Sequence, residues 1–227
     1  MATATKTKHA AVKPREVATR SSGAKPPKRV RRPEQVKARI LKAALEAFAT
    51  SGFDGASARQ IAKDAGVSLS LLLYHFSTKE ELWKAVFEDI FKKGSTAAII
   101  QEEHVAQAPA AEQLKTVIEH IVQIFAMHPA LHRLMTLEGH KLTDRLVWMC
   151  DTYLKRDFRD ICNLIEAAQK EGKVHMVDPE RLRFAIIALA AVPFSVSAEY
   201  EYVTKRNPFS PSEIRNAVEF INRLVFK

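Results

Sequence analysis

The side chains best suited to chemistry are scattered along this chain. His128 and His132 stand four apart, a spacing that can seat a metal on one helix face. Pro129 fixes the first of them at a helix start, and Cys150 and Cys162 are distant in sequence. A structural or surface pair of histidines is expected, with no metal site and no cofactor. Glu138 and His140 belong to no recognisable catalytic set. No G-x-S-x-G, H-E-x-x-H, G-x-G-x-x-G or G-x-x-x-x-G-K-[ST] occurs, so neither a nucleophile–base arrangement nor a phosphate-cradling loop is legible, and no enzyme is expected. Two cysteines without C-x-x-C spacing make no disulfide framework and read as buried thiols of a reducing compartment.

A different chemistry is carried by residues 57–76, Ser-Ala-Arg-Gln-Ile-Ala-Lys-Asp-Ala-Gly-Val-Ser-Leu-Ser-Leu-Leu-Leu-Tyr-His-Phe. Two short helices meet at a turn containing Gly66. Ile61, Ala62 and Ala65 offer one inner face, and Val67, Leu72 and Phe76 the other. The small alanines let the helices cross closely, as a helix-turn-helix requires. With Leu72 and Phe76 turned inward, Leu69, Ser70, Leu73 and Tyr74 lie largely on the other faces. Leucines shown to water are an odd solvent face, whereas base edges and thymine methyl groups in a major groove suit them. Packing into a small helical bundle is the other reading of the same leucines.

The elements around these residues are helical. Val36, Ile40, Ala44 and Phe48 repeat every four residues behind Pro33, with Gly52 as the stop, which predicts a first helix over about 33–50. Ser57 with Gln60 and Thr78 with Glu81 read as capping boxes, Ser68 as an N-cap, and Gly66 as a left-handed helix end. The helix behind Thr78 is expected to run to about Ala98. Pro109, Pro129, Pro179 and Pro211 each mark a helix start, the last two behind Asp178 and Ser210. A helix over about 142–171 has a stripe of Leu142, Leu146, Met149, Tyr153, Phe158, Ile161, Ile165 and Ala168. The last helix carries Ile214, Ala217, Val218, Ile221, Leu224 and Val225. No segment alternates long enough for a strand, so the fold class is all-α with about nine helices.

Charge is unevenly placed. Ten of the 35 basic residues lie in residues 1–32 against one acid, Glu16, so this segment carries the whole net charge of +9 and the rest of the chain balances. With three prolines and almost no large apolar residues, residues 1–32 are expected to be a disordered basic tail. Such an arm is an electrostatic handle for nucleic acid; a solubilising tail and a targeting sequence are the other readings. The longest uncharged stretch, Phe184 to Ala198, is shorter than the roughly twenty residues of a membrane span. No transmembrane segment, no signal peptide and a cytoplasmic location are expected.

Ile61-Ala62-x-x-Ala65-Gly66-Val67-Ser68 and Leu72-x-Tyr74-x-Phe76-x-x-Lys79-Glu80-Glu81-Leu82, with Gly52-Phe53 after the first helix, resemble the DNA-binding domain of the TetR family of transcriptional regulators. The likeness runs ungapped from about Val36 to Leu82. It implies a homodimeric, all-helical regulator, usually a repressor, whose C-terminal domain binds a small molecule. By position it implies groove and backbone contacts from Ser57 and Arg59, a recognition-helix start at Ser68, base-facing Leu69, Ser70, Leu71 and Leu73, and phosphate or sugar contacts from Tyr74, His75 and Thr78. It also implies that Lys79 meets a phosphate at a helix N-terminus. Many members have Lys-Gly-Thr or similar where this chain has Leu69-Ser70-Leu71, and Tyr at Leu73, so base readout is expected to lean on apolar contacts. Leu72-Leu73-Tyr74-His75-Phe76 and the later layout resemble the branch containing the pyrimidine-utilisation repressor; no effector is assigned from that.

The resulting domain reading is a tail at 1–32, a helix-turn-helix domain at 33–80 and an effector-binding and dimerisation domain at 81–227. The segment 184–198 is apolar on nearly every face and is expected to be buried in a core or a subunit interface, with Pro193 kinking its helix. The resemblance favours the interface, a four-helix bundle made by the last two helices of two subunits. Phe125, His132, Met135, Trp148, Met149, Tyr153 and Phe194 suit a partly apolar effector site, plain core packing being the alternative for each. A palindromic double-stranded operator, a second copy of the chain and a small-molecule effector are the expected partners. A tail-driven architectural DNA binder and a helical enzyme are the competing functions.

Overall fold

The structure, a computed structural model, describes Met1, residues 33–93 and residues 99–227. The expectations for the tail, and for the helix reaching Ala98, fall outside the described residues beyond those limits. The first helix, α1, is Pro33–Gly55, and its stripe of Val36, Ile40, Ala44 and Phe48 is buried throughout. Its regular course breaks at Gly52, whose φ of 68° is a left-handed turn that a side chain would strain. Next come α2 (Ala58–Asp64), α3 (Leu69–His75) and α4 (Lys79–Lys93).

The caps form largely as the sequence predicts. Ser68 Oγ accepts from the Leu71 amide at 3.1 Å, and Thr78 Oγ1 accepts from the Glu81 amide at 3.0 Å. Only half of the box at α2 forms: Ser57 Oγ accepts from the Gln60 amide at 3.5 Å, but the Gln60 side chain donates to Asp64 at 2.7 Å and does not turn back to Ser57. In the box at α4 the Glu81 carboxylate accepts from Ser77, one residue before the cap, at 2.8 Å.

The remaining helices are α5 (Glu103–Ala106), α6 (Ala110–Met127), α7 (Pro129–Glu138), α8 (Asp144–Met149), α9 (Lys155–Lys170), α10 (Pro179–Ser195), α11 (Ser197–Thr204) and α12 (Pro211–Val225). The all-α expectation holds, and no strand occurs among the described residues; Val174 and Phe226 form one isolated bridge. Leu114, Val117, Ile118, Ile121, Val122 and Phe125 of α6 are buried, and α6 packs against α9, α10 and α12. Each such side chain contributes roughly 1.5–3 kcal/mol by leaving water. Helix α1 lies against α4 and α7.

Three later expectations change in detail. The helix expected over 142–171 begins at Asp144 behind the Thr143 cap, leaving Leu142 exposed. A π turn at Cys150–Leu154 joins α8 to α9. The five-residue step from Tyr153 to Phe158 in the apolar stripe is the sequence counterpart of that turn, since an inserted residue shifts the phase of the face behind it. The expected kink at Pro193 appears as a full break: α10 ends at Ser195 and meets α11 at a bend of 77°. Pro193 takes away one backbone donor, and the chain leaves helical geometry at Val196. Nor is 184–198 covered on every face within one chain. Ile186, Ala190, Ala191 and Phe194 are buried, while Phe184, Val192 and Val196 are exposed. No single helix among the described residues is long and apolar enough to cross a membrane.

Candidate functional site

Helices α2 and α3 close on each other through Ile61, Ala62, Ala65 and Leu72, all buried, with Phe76 beneath them. Gly66, at a φ of 64°, makes the turn between them. That packing turns the other side of α3 outward. Tyr74 is 82% exposed and Leu73 45%, and Ser68 and Ser70 are exposed with them. Leu69 and Leu71 are half-buried and pack on the core, so their outer edges alone are free. His75 is half-buried between Tyr74 and Phe76 at ring distances of 5.5 and 6.3 Å. Ser57, Arg59 and Thr78 are exposed around the same face.

Lys79 is the residue whose surroundings differ most from a free phosphate clamp. Its Nζ lies 3.4 Å from the carbonyl oxygens of Asp54 and Ala56 and 4.6 Å from the centroid of the Phe53 ring. The ammonium thus fastens the turn after α1 to the start of α4. Two cations that the sequence reading overlooked flank α3 from α1. Lys37 stands over the Phe76 ring at 5.9 Å, and a Cβ placed on Gly66 would lie 3.5 Å from the Arg39 guanidinium. The spacing of Lys37 and Arg39 within α1 carried no hint, because the packing of α1 against α2 and α4 is what brings them there.

The same α1 is tied to the later helices. Glu46 pairs with Arg133 of α7 at 3.1 Å, and Arg133 also approaches the Ser195 carbonyl at the end of α10 at 3.5 Å. Arg145 stacks over Phe53 at 4.0 Å and pairs with the buried Glu138 at 3.4 Å. Both ties leave from the C-terminal half of α1 or the turn behind it.

The later helices, with α4, also enclose a cavity system. An inner cavity of about 70 Å³ is lined by Ile90, Phe91, Ile121, Ile124 and Phe125, and closed by Met135, Leu154 and Ile187. It continues into an open groove of about 760 Å³ that shares Met135, Leu154, Arg183 and Ile187 and adds His132, Thr136, Phe158 and Phe184. Of the residues expected at an effector site, Phe125, His132 and Met135 come together here. Phe125 and His132 meet edge to face at 5.9 Å, and burial pushes the His132 imidazole below the ordinary histidine range. Met149 is packed in the core, Trp148 lies against Trp83 at 5.8 Å, and Tyr153 stacks on Phe91 at 4.7 Å. Phe194 faces a separate groove between α10 and α12. The expected set of seven is therefore divided: Trp148 and Tyr153 pack against α4, Tyr153 from within the π turn.

Arg183 and Asp157 line the inner cavity and were not singled out from the sequence. Arg183 is 8% exposed and meets Asp157 at 3.4 Å. An arginine directly before a run of fifteen uncharged residues was the available signal. Among the described residues no group of three His, Cys, Asp or Glu could hold a metal, and His132 has apolar neighbours. Burial pushes the Cys162 thiol up, with Arg183 partly opposing it.

The profile of bacterial regulatory proteins of the tetR family matches residues 40–86, the stretch that folds into most of α1 through the first half of α4. Over 200 residues the chain is 30% identical to the HTH-type transcriptional regulator RutR of Escherichia coli strain K12, covering 88% of this chain and 93% of RutR. The chain belongs to the TetR family. It is a helix-turn-helix transcriptional regulator. It is also 35% identical over 109 residues to the transcriptional repressor SCO4008 of Streptomyces coelicolor, covering 48% of this TetR-family chain and 52% of SCO4008. The fold matches that of AibR, solved in complex with isovaleryl coenzyme A and operator DNA, with a TM-score of 0.61 at 16% identity over 84% of this chain and 98% of AibR. The named TetR-family relatives are regulators of transcription and none is described as an enzyme.

Proposed function

We propose that this TetR-family chain is a homodimeric repressor that leaves a palindromic operator when a small-molecule effector binds. The observation that carries the reading is the face of α3: a seven-residue helix anchored by Leu72 that shows Ser68, Ser70, Leu73 and Tyr74 to solvent. A surface so small and so mixed in polarity suits the major groove, where serine hydroxyls meet base edges and leucine meets thymine methyls. Ser57, Arg59, His75 and Thr78 around it are assigned to phosphate and sugar, and Leu69 and Leu71 to the edge of the groove. Lys79 acts there mainly by holding the turn, and reaches a phosphate by leaving the Asp54 and Ala56 carbonyls. Residues 33–80 form the DNA-reading part and 81–227 the effector and dimerisation part.

Dimerisation is assigned to α10 and α12. Val192, Phe220 and Leu224 lie exposed there, an apolar surface of the kind that a four-helix bundle of two subunits covers. The effector is assigned to the cavity between α6, α7, α9 and α10. Helix α7 carries both His132 and Met135 at the cavity and Arg133 at Glu46, so an occupant that shifts α7 shifts α1 with it. Such an effector weakens operator binding by its differential affinity for the two spacings of the paired α3 helices. AibR, with its acyl coenzyme A and operator, supports this division of labour.

The test is selection of bound duplexes from a random DNA pool, using the full chain and a form lacking residues 1–32, at about 0.15 M salt. A palindrome shared by both forms is the expected result. Enrichment of no sequence, or loss of all binding with the tail, would overturn the reading in favour of a tail-driven architectural binder.

A further inference from the structure

We propose that the cavity at Arg183 takes an organic anion: a carboxylic acid whose apolar body lies between α6, α7 and α10 and whose carboxylate pairs with the Arg183 guanidinium. The proposal rests on the ligand-responsive reading and names the chemical class of the effector.

Arg183 is buried, yet its hydrogen-bonding capacity is largely unspent. A guanidinium has five N–H donors and no acceptor. Here one nitrogen reaches Asp157 at 3.4 Å, and the buried Nε has no hydrogen-bond partner among the described residues. Arginine–carboxylate pairs made for structure are commonly two-pronged and near 2.7–2.9 Å. This contact is single and long. The remaining neighbours are ring faces: Phe158 and Phe184 flank the guanidinium carbon at 5.4 and 5.3 Å. They hold the plane of the group between two ring faces, but they satisfy no N–H.

The charge around the group selects the sign of the ligand. The open groove is lined by Lys155, Arg159 and Arg183 and by no carboxylate. Asp157 lies on the inner side, already beside Arg183, and Asp151, the partner of Lys155, stands outside the groove. A cleft lined by one sign of charge with apolar walls focuses its field on ligands of the opposite sign. A cation would meet three like charges, and a neutral carbonyl, although it can accept from the free Nε–H, gains nothing from the field of those charges. The apolar body is called for by the opposite wall, where Phe91, Ile121, Ile124, Phe125 and Ile187 offer no polar side-chain atom.

The experiment is isothermal titration of the full chain with hexanoate, octanoate and 4-phenylbutyrate, each beside its primary amide. At least one acid is expected to bind about tenfold or more tighter than its amide. Arg183→Gln should reduce that preference to about twofold or less, and Arg183→Lys should keep part of it, as a point charge replaces the fork. Amides that bind as well as their acids, binding by none of the three acids, or a preference that survives Arg183→Gln would each overturn the proposal. Should Arg183→Gln fail to fold by circular dichroism, the acid-to-amide ratio of the unmodified chain decides alone. Operator gel shifts separate this proposal from the reading beneath it. An acid that binds through Arg183 without releasing operator refutes ligand-controlled repression and leaves the anion site standing. A neutral compound that releases operator equally from the unmodified chain and from Arg183→Gln keeps ligand control and overturns the anion site.

Discussion

Phe220→Ala is expected to dissociate the dimer while leaving the subunit folded. Phe220 sits on α12 with 55% of its surface exposed in the single chain, on the same side as Leu224. An aromatic side chain carries about 200 Å² of surface, so about 110 Å² of Phe220 is left for a partner to cover. At about 25 cal/mol per Å², covering it contributes about 2.7 kcal/mol per copy. A two-fold interface uses the residue twice, for roughly 5 kcal/mol per dimer. Alanine retains a fraction of the contact, so the expected loss is about 4 kcal/mol, or on the order of a thousandfold in the dimer dissociation constant. Sedimentation equilibrium measures it, with thermal unfolding of the monomer as the control, where an already exposed side chain should change stability by about 0.5 kcal/mol or less. Operator affinity should fall with the dimer. A variant that dimerises within tenfold of the parent would refute the assignment of α10 and α12 as the subunit contact, because no other residue could replace that covered area on both sides of the axis.

Tyr74→Ala and Leu72→Ala separate reading from folding on one helix. Tyr74→Ala should lower operator affinity about tenfold in gel-shift titrations with an unchanged melting temperature, whereas Leu72→Ala, at a fully buried site, should cost about 2–5 kcal/mol in urea unfolding. Lys79→Ala should do both in moderation, losing about 0.5–1 kcal/mol through the Phe53 contact and weakening DNA binding; an unaltered operator affinity would remove Lys79 from the DNA assignment. His132 is held below the ordinary histidine range by burial, so the unfolded chain takes up its proton first as pH falls. Its contribution is therefore present above the ordinary range and lost as pH drops through about 6.5. Melts at pH 5 and pH 8 should differ less in His132→Asn than in the parent.

Much of the exposed face of α2 and α3, the one proposed to read DNA, was legible because its signals are local. The Ser68 and Thr78 caps, the Gly66 turn and the inward pairing of Leu72 with Phe76 act within one or two turns of chain, and each formed as expected. Where a side chain had a choice of local partners, the sequence was ambiguous: Gln60 bonds Asp64 one turn ahead and not Ser57 behind it. The residues proposed for the effector site were less legible. Phe125, His132 and Met135 converge, yet Trp148 and Tyr153 pack on α4, and a list of aromatic residues contains no phase from which to see that.

Periodicity and capping, being energetics of neighbouring residues, were enough to place most of the helices, most of their starts and the inner face of α2 and α3. What those helices close upon came from their packing. Glu171 reaches back 61 positions to accept from the Ala110 and Ala111 amides at 2.7 and 3.0 Å, capping α6 where Pro109 has no side-chain oxygen to do so. Arg133 finds Glu46 across 87 positions, and Arg183 is buried beside Asp157 across 26. Such pairings bring together groups that share no local signal. Their partners are set by how three or four helices pack at once, and that packing is a property of the whole core.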